Sequence, residues 1–161
     1  MSQENVDLHR RVYAAFNARD IDALLALVDP NAEWKSMMTV PGGATYRGHD
    51  GVRQWLADLE EVWGSDFRAE LETVFDLGDQ TLASVVLRGR GRQSGVNAAM
   101  SSAQVMKWRD RRCVYYRAYI DREDALRDLG VSEETLRDDL DPGRHHRLEQ
   151  DAHADAETGG Y

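Results

Sequence analysis

An α+β fold, with a curved antiparallel sheet packed on three N-terminal helices, is predicted by the order of periodicities along the chain. Apolar residues recur at helical spacing as far as Trp63, interrupted by one short strand. From Phe67 the period changes from that of a helix to that of a strand and stays there through four successive runs. Helices in one run and strands in the next place the helices on one face of a sheet. A sheet that curls around helices encloses an apolar pocket, so small-molecule binding or chemistry is already suggested by the architecture.

In the first helix Leu8, Val12, Ala15 and Phe16 form one stripe, with Val6, His9 and Tyr13 beside it. Asn17-Ala18-Arg19-Asp20 breaks the pattern, and Asp20 suits the N-cap of a second, short helix that buries Ile21, Leu24, Leu25 and Val28 and stops before Pro30. Ala32 to Ser36 reads as a first strand and Pro41-Gly42-Gly43 as a loop. The third helix, opened by Tyr46-Arg47-Gly48-His49-Asp50-Gly51, carries Val52, Trp55, Leu56, Leu59, Val62 and Trp63 on one broad face. The strands then run from Phe67 to Leu77, Thr81 to Arg92, Ala98 to Arg109 and Arg112 to Ile120, with turns at Gly78-Asp79, Ser94-Gly95 and Asp110-Arg111. A short helix follows from Glu123 to Leu129, ended by Gly130, and Ser132 to Leu140 supplies a further turn or two.

The chain of 161 residues is long enough for one domain with a real core. Residues 1–140 make that domain. Residues 141–161 hold His145, His146 and His153, several acids and almost nothing large and apolar, so they read as a disordered tail. A net charge of −9 disfavours nucleic acid and anionic membrane surfaces as partners. The polar, acidic start and the lack of a long apolar stretch point to a cytoplasmic protein. The lone cysteine, Cys113, excludes an intrachain disulfide and reads as a small buried thiol.

The Asn17-Ala18-Arg19-Asp20 break, the Tyr46 to Val52 helix start, Arg88-Gly89-Arg90-Gly91-Arg92 with Ser94-Gly95, and Tyr119-Ile120-Asp121 together resemble the SnoaL-like branch of the NTF2-like superfamily, over roughly residues 5–131. The resemblance implies a cone-shaped α+β barrel, usually a homodimer, with a pocket between sheet and helices. It also implies a range of roles that includes polyketide cyclases, ketosteroid isomerase and proteins that only bind ligands. By the same alignment the ketosteroid isomerase tyrosine falls at Val12, with Tyr13 one residue away. Its catalytic carboxylate falls at Ser36 and its oxyanion aspartate at Gln104. All three roles are missing, which argues against that chemistry.

Asp121 resembles the general acid/base aspartate of the cyclases. The same carboxylate is also placed to cap the helix that starts beside it, and the histidine that accompanies it in the cyclases has no counterpart on the matching strands. Gln104 shares strand parity with Met100, Ser102 and Met106, so an inward amide would orient a ligand carbonyl or bond a neighbouring group. Trp34 with Ser36, and Tyr116 with Ala118, face the pocket by the family alignment. Trp55, Tyr13 and Tyr46 complete the expected ligand-contacting set, the tyrosines as donors to a ligand oxygen. His49 at a helix start is a base or an exposed cap residue. Arg88, Arg90 and Arg92 share a strand face, where they bind an acidic substrate or, as the default that needs no ligand, form a cross-strand charge ladder with the acidic strand Arg68 to Asp76. The tail histidines match no zinc spacing, and neither a metal nor a cofactor is expected.

Two readings follow. The protein binds a small hydrophobic or carbonyl-containing molecule and performs cofactor-independent isomerase, cyclase or dehydratase chemistry, with Asp121 as acid/base and Gln104, Tyr13 or Tyr46 polarising a carbonyl. Alternatively, it is a non-catalytic ligand-binding, accessory or assembly protein, as a pocket of Met, Trp, Tyr and Ser with one arguable carboxylate favours.

Overall fold

Helix α1 (Ser2–Asn17) and helix α2 (Ile21–Ala26) lead into strands β1 (Val28–Ser36) and β2 (Ala44–Arg47), followed by helix α3 (Gly48–Trp63). Strands β3 (Arg68–Asp76), β4 (Gln80–Arg90), β5 (Asn97–Arg109) and β6 (Arg112–Tyr119) come next, and helices α4 (Arg122–Leu129) and α5 (Glu133–Asp139) close the fold. The computed structural model describes residues 2–90, 95 and 97–139. The tail reading, Arg92 and part of the Ser94-Gly95 turn lie outside the described residues.

The strands form one sheet in the order β2-β1-β6-β5-β4-β3. Every neighbouring pair is antiparallel except β1 with β6, which is parallel. This corrects the expectation of a purely antiparallel sheet. The chain leaves β1 for the long excursion through α3 and β3 to β5, and a connection of that length lets β6 return beside β1 in the same direction. The sheet curves around the helices but stays open, since β2 and β3 each pair on one side only.

The helix starts and turns follow local chemistry. The Asp20 side chain accepts from the Ala23 backbone N–H, as an N-cap should. Asp110 and Arg111 both take positive φ (52° and 66°), giving the tight hairpin turn whose twist matches that of β5 and β6. Strand β2 is absent from the sequence reading, which assigned Tyr46-Arg47 to the start of α3. Ala44 to Arg47 instead pair with Ser36 to Glu33 as a short edge strand. Gly48 then turns abruptly at φ +68°, where an added Cβ would lie 2.6 Å from the Pro30 carbonyl oxygen. Strand β1 also starts earlier than expected. It carries Pro30 inside a register shift between Val28 and Glu33, where a missing N–H is tolerated.

The sheet carries an apolar core on each face. On the concave side α1 to α3 cover Trp34, Ala83, Val85, Met106 and Tyr116. On the other side Phe75, Leu82, Ala103 and Val105 pack under Ala125, Leu126 and Leu136 of α4 and α5. Leu82 is fully buried there, a contact worth about 1.5–3 kcal/mol. This second core gives the C-terminal helices their role and explains why β5 reads as a nearly continuous apolar run from Ala103 to Met106, interrupted by Gln104. The alternation of Arg88, Gly89 and Arg90 follows from the two faces of β4. Arg88 bonds Glu70 on the outer side and Arg90 bonds the Gly95 carbonyl at 2.9 Å. Gly89 faces inward, where a Cβ would press to 2.9 Å on the Phe67 ring.

Candidate functional site

A small enclosed space lies between α1, α3 and the concave face of the sheet, and its volume is about 20 Å³. Seven of the residues expected to contact a ligand line it: Tyr13 from α1, Trp34 and Ser36 from β1, Trp55 from α3, Gln104 and Met106 from β5, and Tyr116 from β6. Strand parity brings them together. Trp34 pairs with Tyr116, and Tyr116 with Met106, so their side chains share one face.

The space is small because the aromatic residues fill it. Trp34 stacks on Tyr116 with ring centroids 4.3 Å apart, and Trp55 lies 5.3 Å from Trp34 and 5.4 Å from Phe16. These rings pack on one another, as core aromatics do. Gln104 is likewise tied to the protein. The Tyr13 hydroxyl donates to its Oε1, its Nε2 lies 3.4 Å from Ser102 Oγ, and Ser102 Oγ donates to the Tyr119 carbonyl at 3.0 Å. Burial, then the Tyr116 and Cys113 side chains, push the Tyr13 hydroxyl well above the usual tyrosine range, so it stays a neutral donor. Ser36 Oγ accepts from the Met38 N–H at 3.2 Å and shapes the turn after β1.

The other expected residues lie outside this wall. Asp121 is exposed, and its Oδ1 accepts from the Glu123 N–H at 2.9 Å, so of its two roles the structure displays the cap of α4. Asp121→Ala is therefore expected to cost about 1 kcal/mol in denaturant unfolding. Ligand affinity at the enclosed space should not change, and a loss of affinity would return Asp121 to the site. Tyr46 donates to Asp58 Oδ2 at 2.7 Å and sits 2.8 Å from Thr39 Oγ1, away from the space. Ser102 and Ala118 are buried behind Gln104, and Met100 lines a neighbouring groove. His49 donates from Nε2 to the Val28 carbonyl at 2.7 Å, a structural tie between α3 and β1. Burial pushes the Cys113 thiol up to about 12, which removes it as a nucleophile.

His9 and Tyr13, on adjacent turns of α1, stack ring on ring with centroids 5.2 Å apart. His9 is fully buried, with Nδ1 2.6 Å from Thr81 Oγ1, which also accepts from Trp108 Nε1 at 2.8 Å. Burial, then the nearby Arg10 charge, lower its pKa to about 3, so the imidazole is neutral.

A larger feature escaped sequence reasoning. A groove of about 380 Å³ adjoins the enclosed space, bounded by Met37 to Pro41 after β1, by Val62 and Trp63 of α3, by Met100 of β5 and by Ile120. Met38, Phe67 and Leu87 line both, so they form the partition between groove and inner space. Four of the exposed large apolar side chains of the described residues, Met37, Val40, Val62 and Ile120, line this groove. The available signal was the apolar run Met37-Met38-Thr39-Val40 in a loop. Among the described residues, neither lining contains Asp, Glu, His, Lys or Arg. Among the described residues no group of acidic, histidine and cysteine side chains could hold a metal ion, and no helix is long and apolar enough to cross a membrane.

The family model described as the SnoaL-like domain matches residues 9–116. No curated protein matches the chain. Among solved structures it is similar to Bal32a from a soil-derived mobile gene cassette, at 22% identity and TM-score 0.67 over 73% of this chain and 89% of that one. TerC, co-crystallized with polyporic acid, aligns at 24% identity and TM-score 0.65 over 78% of this chain and 97% of its own. A Catenulispora acidiphila protein with a ketosteroid isomerase-like fold, in complex with trimethylamine, aligns at 17% identity and TM-score 0.63, covering 78% and 93% of the two chains.

Proposed function

The chain belongs to the SnoaL-like domain family, and we propose that it binds a small, largely hydrophobic molecule without performing acid–base chemistry on it. The observation that carries this reading is the composition of the walls. Among the described residues, the inner space and the groove are lined by aromatic, aliphatic, Met, Ser, Thr and Gln side chains, with no carboxylate, imidazole or cation. A general acid or base must reach the reacting proton, and no described wall residue carries a carboxylate or an imidazole. Burial raises both tyrosines of the inner space, Tyr13 and Tyr116, above their ordinary range, which keeps them protonated. The solved structures that hold polyporic acid and trimethylamine support ligand binding as a use of this fold.

The test is a titration of the intact protein with small apolar ketones, followed by intrinsic tryptophan emission and by chromatography of the ligand. Trp34, Trp55 and Trp63 all line the site, so binding should change emission saturably while the ligand is recovered unaltered. Turnover that disappears in Asp121→Asn would contradict the reading and support the cyclase-type alternative. In that case Asp121 acts as acid/base, with Gln104, Tyr13 or Tyr46 at the carbonyl.

A further inference from the structure

Among the described residues the buried side-chain nitrogen and oxygen atoms without a hydrogen-bond partner are His9 Nε2, Trp34 Nε1 and Trp55 Nε1. The two indoles belong to residues that line the same inner space, with ring centroids 5.3 Å apart. Trp34 is 1% exposed and Trp55 6%. A buried N–H with no acceptor is unfavourable, and native structures seldom leave two together. The space beside them, about 20 Å³, exceeds the roughly 10–15 Å³ that one water-sized group needs.

We infer that the site takes an apolar molecule bearing one neutral hydrogen-bond acceptor, such as a ketone, with the acceptor held by the indole N–H groups of Trp34 and Trp55 and the apolar body in the groove. The inference rests on the binding reading above and narrows it to one ligand class. An anionic acceptor is disfavoured, because the described wall residues supply no cation and burying an uncompensated charge is costly. Size sets the division of the ligand: the inner space admits one oxygen-sized group, while the groove of about 380 Å³ accommodates a ring system. Met38 stands between them. Its backbone carbonyl is fixed by the Trp63 indole N–H at 2.9 Å, while its side chain, half-buried and unbranched, is the part of the partition that can rotate aside.

Calorimetric titration of the full chain with indan-1-one and with indane tests this. A plain apolar pocket prefers indane, because the ketone gives up its hydrogen bonds to water on entering. Two indole donors reverse that order, and indan-1-one is expected to bind about tenfold more tightly than indane. In Trp34→Phe the ratio of the two dissociation constants should fall toward one. Trp55→Phe provides the same readout if Trp34→Phe does not fold. Equal binding of the two compounds by the wild-type protein, or a preference for indane, overturns the inference and leaves the binding reading intact. Binding of neither at millimolar concentration overturns the binding reading, and the inference with it.

Discussion

Trp34→Ala is expected to destabilise the protein by about 3–5 kcal/mol, measured as a lower denaturant midpoint. Trp34 is 1% exposed at the centre of the concave core, with Tyr116 stacked on one side at 4.3 Å and Trp55 at 5.3 Å. Truncation removes the transfer energy of a large aromatic and leaves a void whose walls cannot collapse easily. Those walls are β1 and β6, fixed by the sheet, and α3, held against β1 through His49 and Val28. Total stabilities are commonly about 5–15 kcal/mol, so this one change should remove a large share. A loss below about 1 kcal/mol would mean that the aromatic cluster is loosely packed and that the inner space is larger in solution than its walls indicate.

His9 should make stability depend on pH below neutrality. Its folded-state pKa, about 3, lies below the ordinary value of about 6.5 for an unfolded histidine. Above that ordinary value both states are neutral at His9 and its contribution is intact. As pH falls below it, the unfolded chain takes up a proton that the folded chain refuses, so stability is lost progressively from about pH 6.5 down to about pH 3. By pH 5 the loss should reach about 2 kcal/mol. Carboxylates titrate lower, and the other four histidines are common to the wild type and a His9 variant, so the difference between the two proteins from pH 6.5 to 5 isolates His9. The control is His9→Gln, which cannot titrate. Its stability starts lower, because the Tyr13 stack and the Thr81 contact change, but it should vary much less across that interval. Equal slopes for the two proteins would show that His9 is solvated in the native state.

How much of this was legible in the sequence depends on whether the signal is local. Helix and strand order came from periodicity, and parity grouped Gln104 with Met106, Trp34 with Ser36 and Tyr116 with Ala118, because a strand's two faces are fixed by its own residues; which face turns inward was implied by the family resemblance. The parallel β1–β6 pair was not legible, since strand order is set by how the chain packs after leaving β1. Nor was β2, whose four residues are too few for a period. Asp121 carried two compatible local readings. The hydrogen bond to Glu123 became visible only with the backbone turn in place. Gln104 could not be assigned a partner, because Tyr13 lies 91 residues away. The second core had left a trace, in Leu82, Ala103 and Val105 at positions that should have been polar on a solvated face.

Binding at the inner space is best tested by following the indole N–H resonances of the protein's four tryptophans while indan-1-one is added. The account predicts that the Trp34 and Trp55 signals move saturably, as two unpartnered donors gain an acceptor, while Trp108, already bonded to Thr81, stays in place. Motion of Trp63 alone would confine the ligand to the groove, and no motion of any indole signal would contradict a ligand site here altogether.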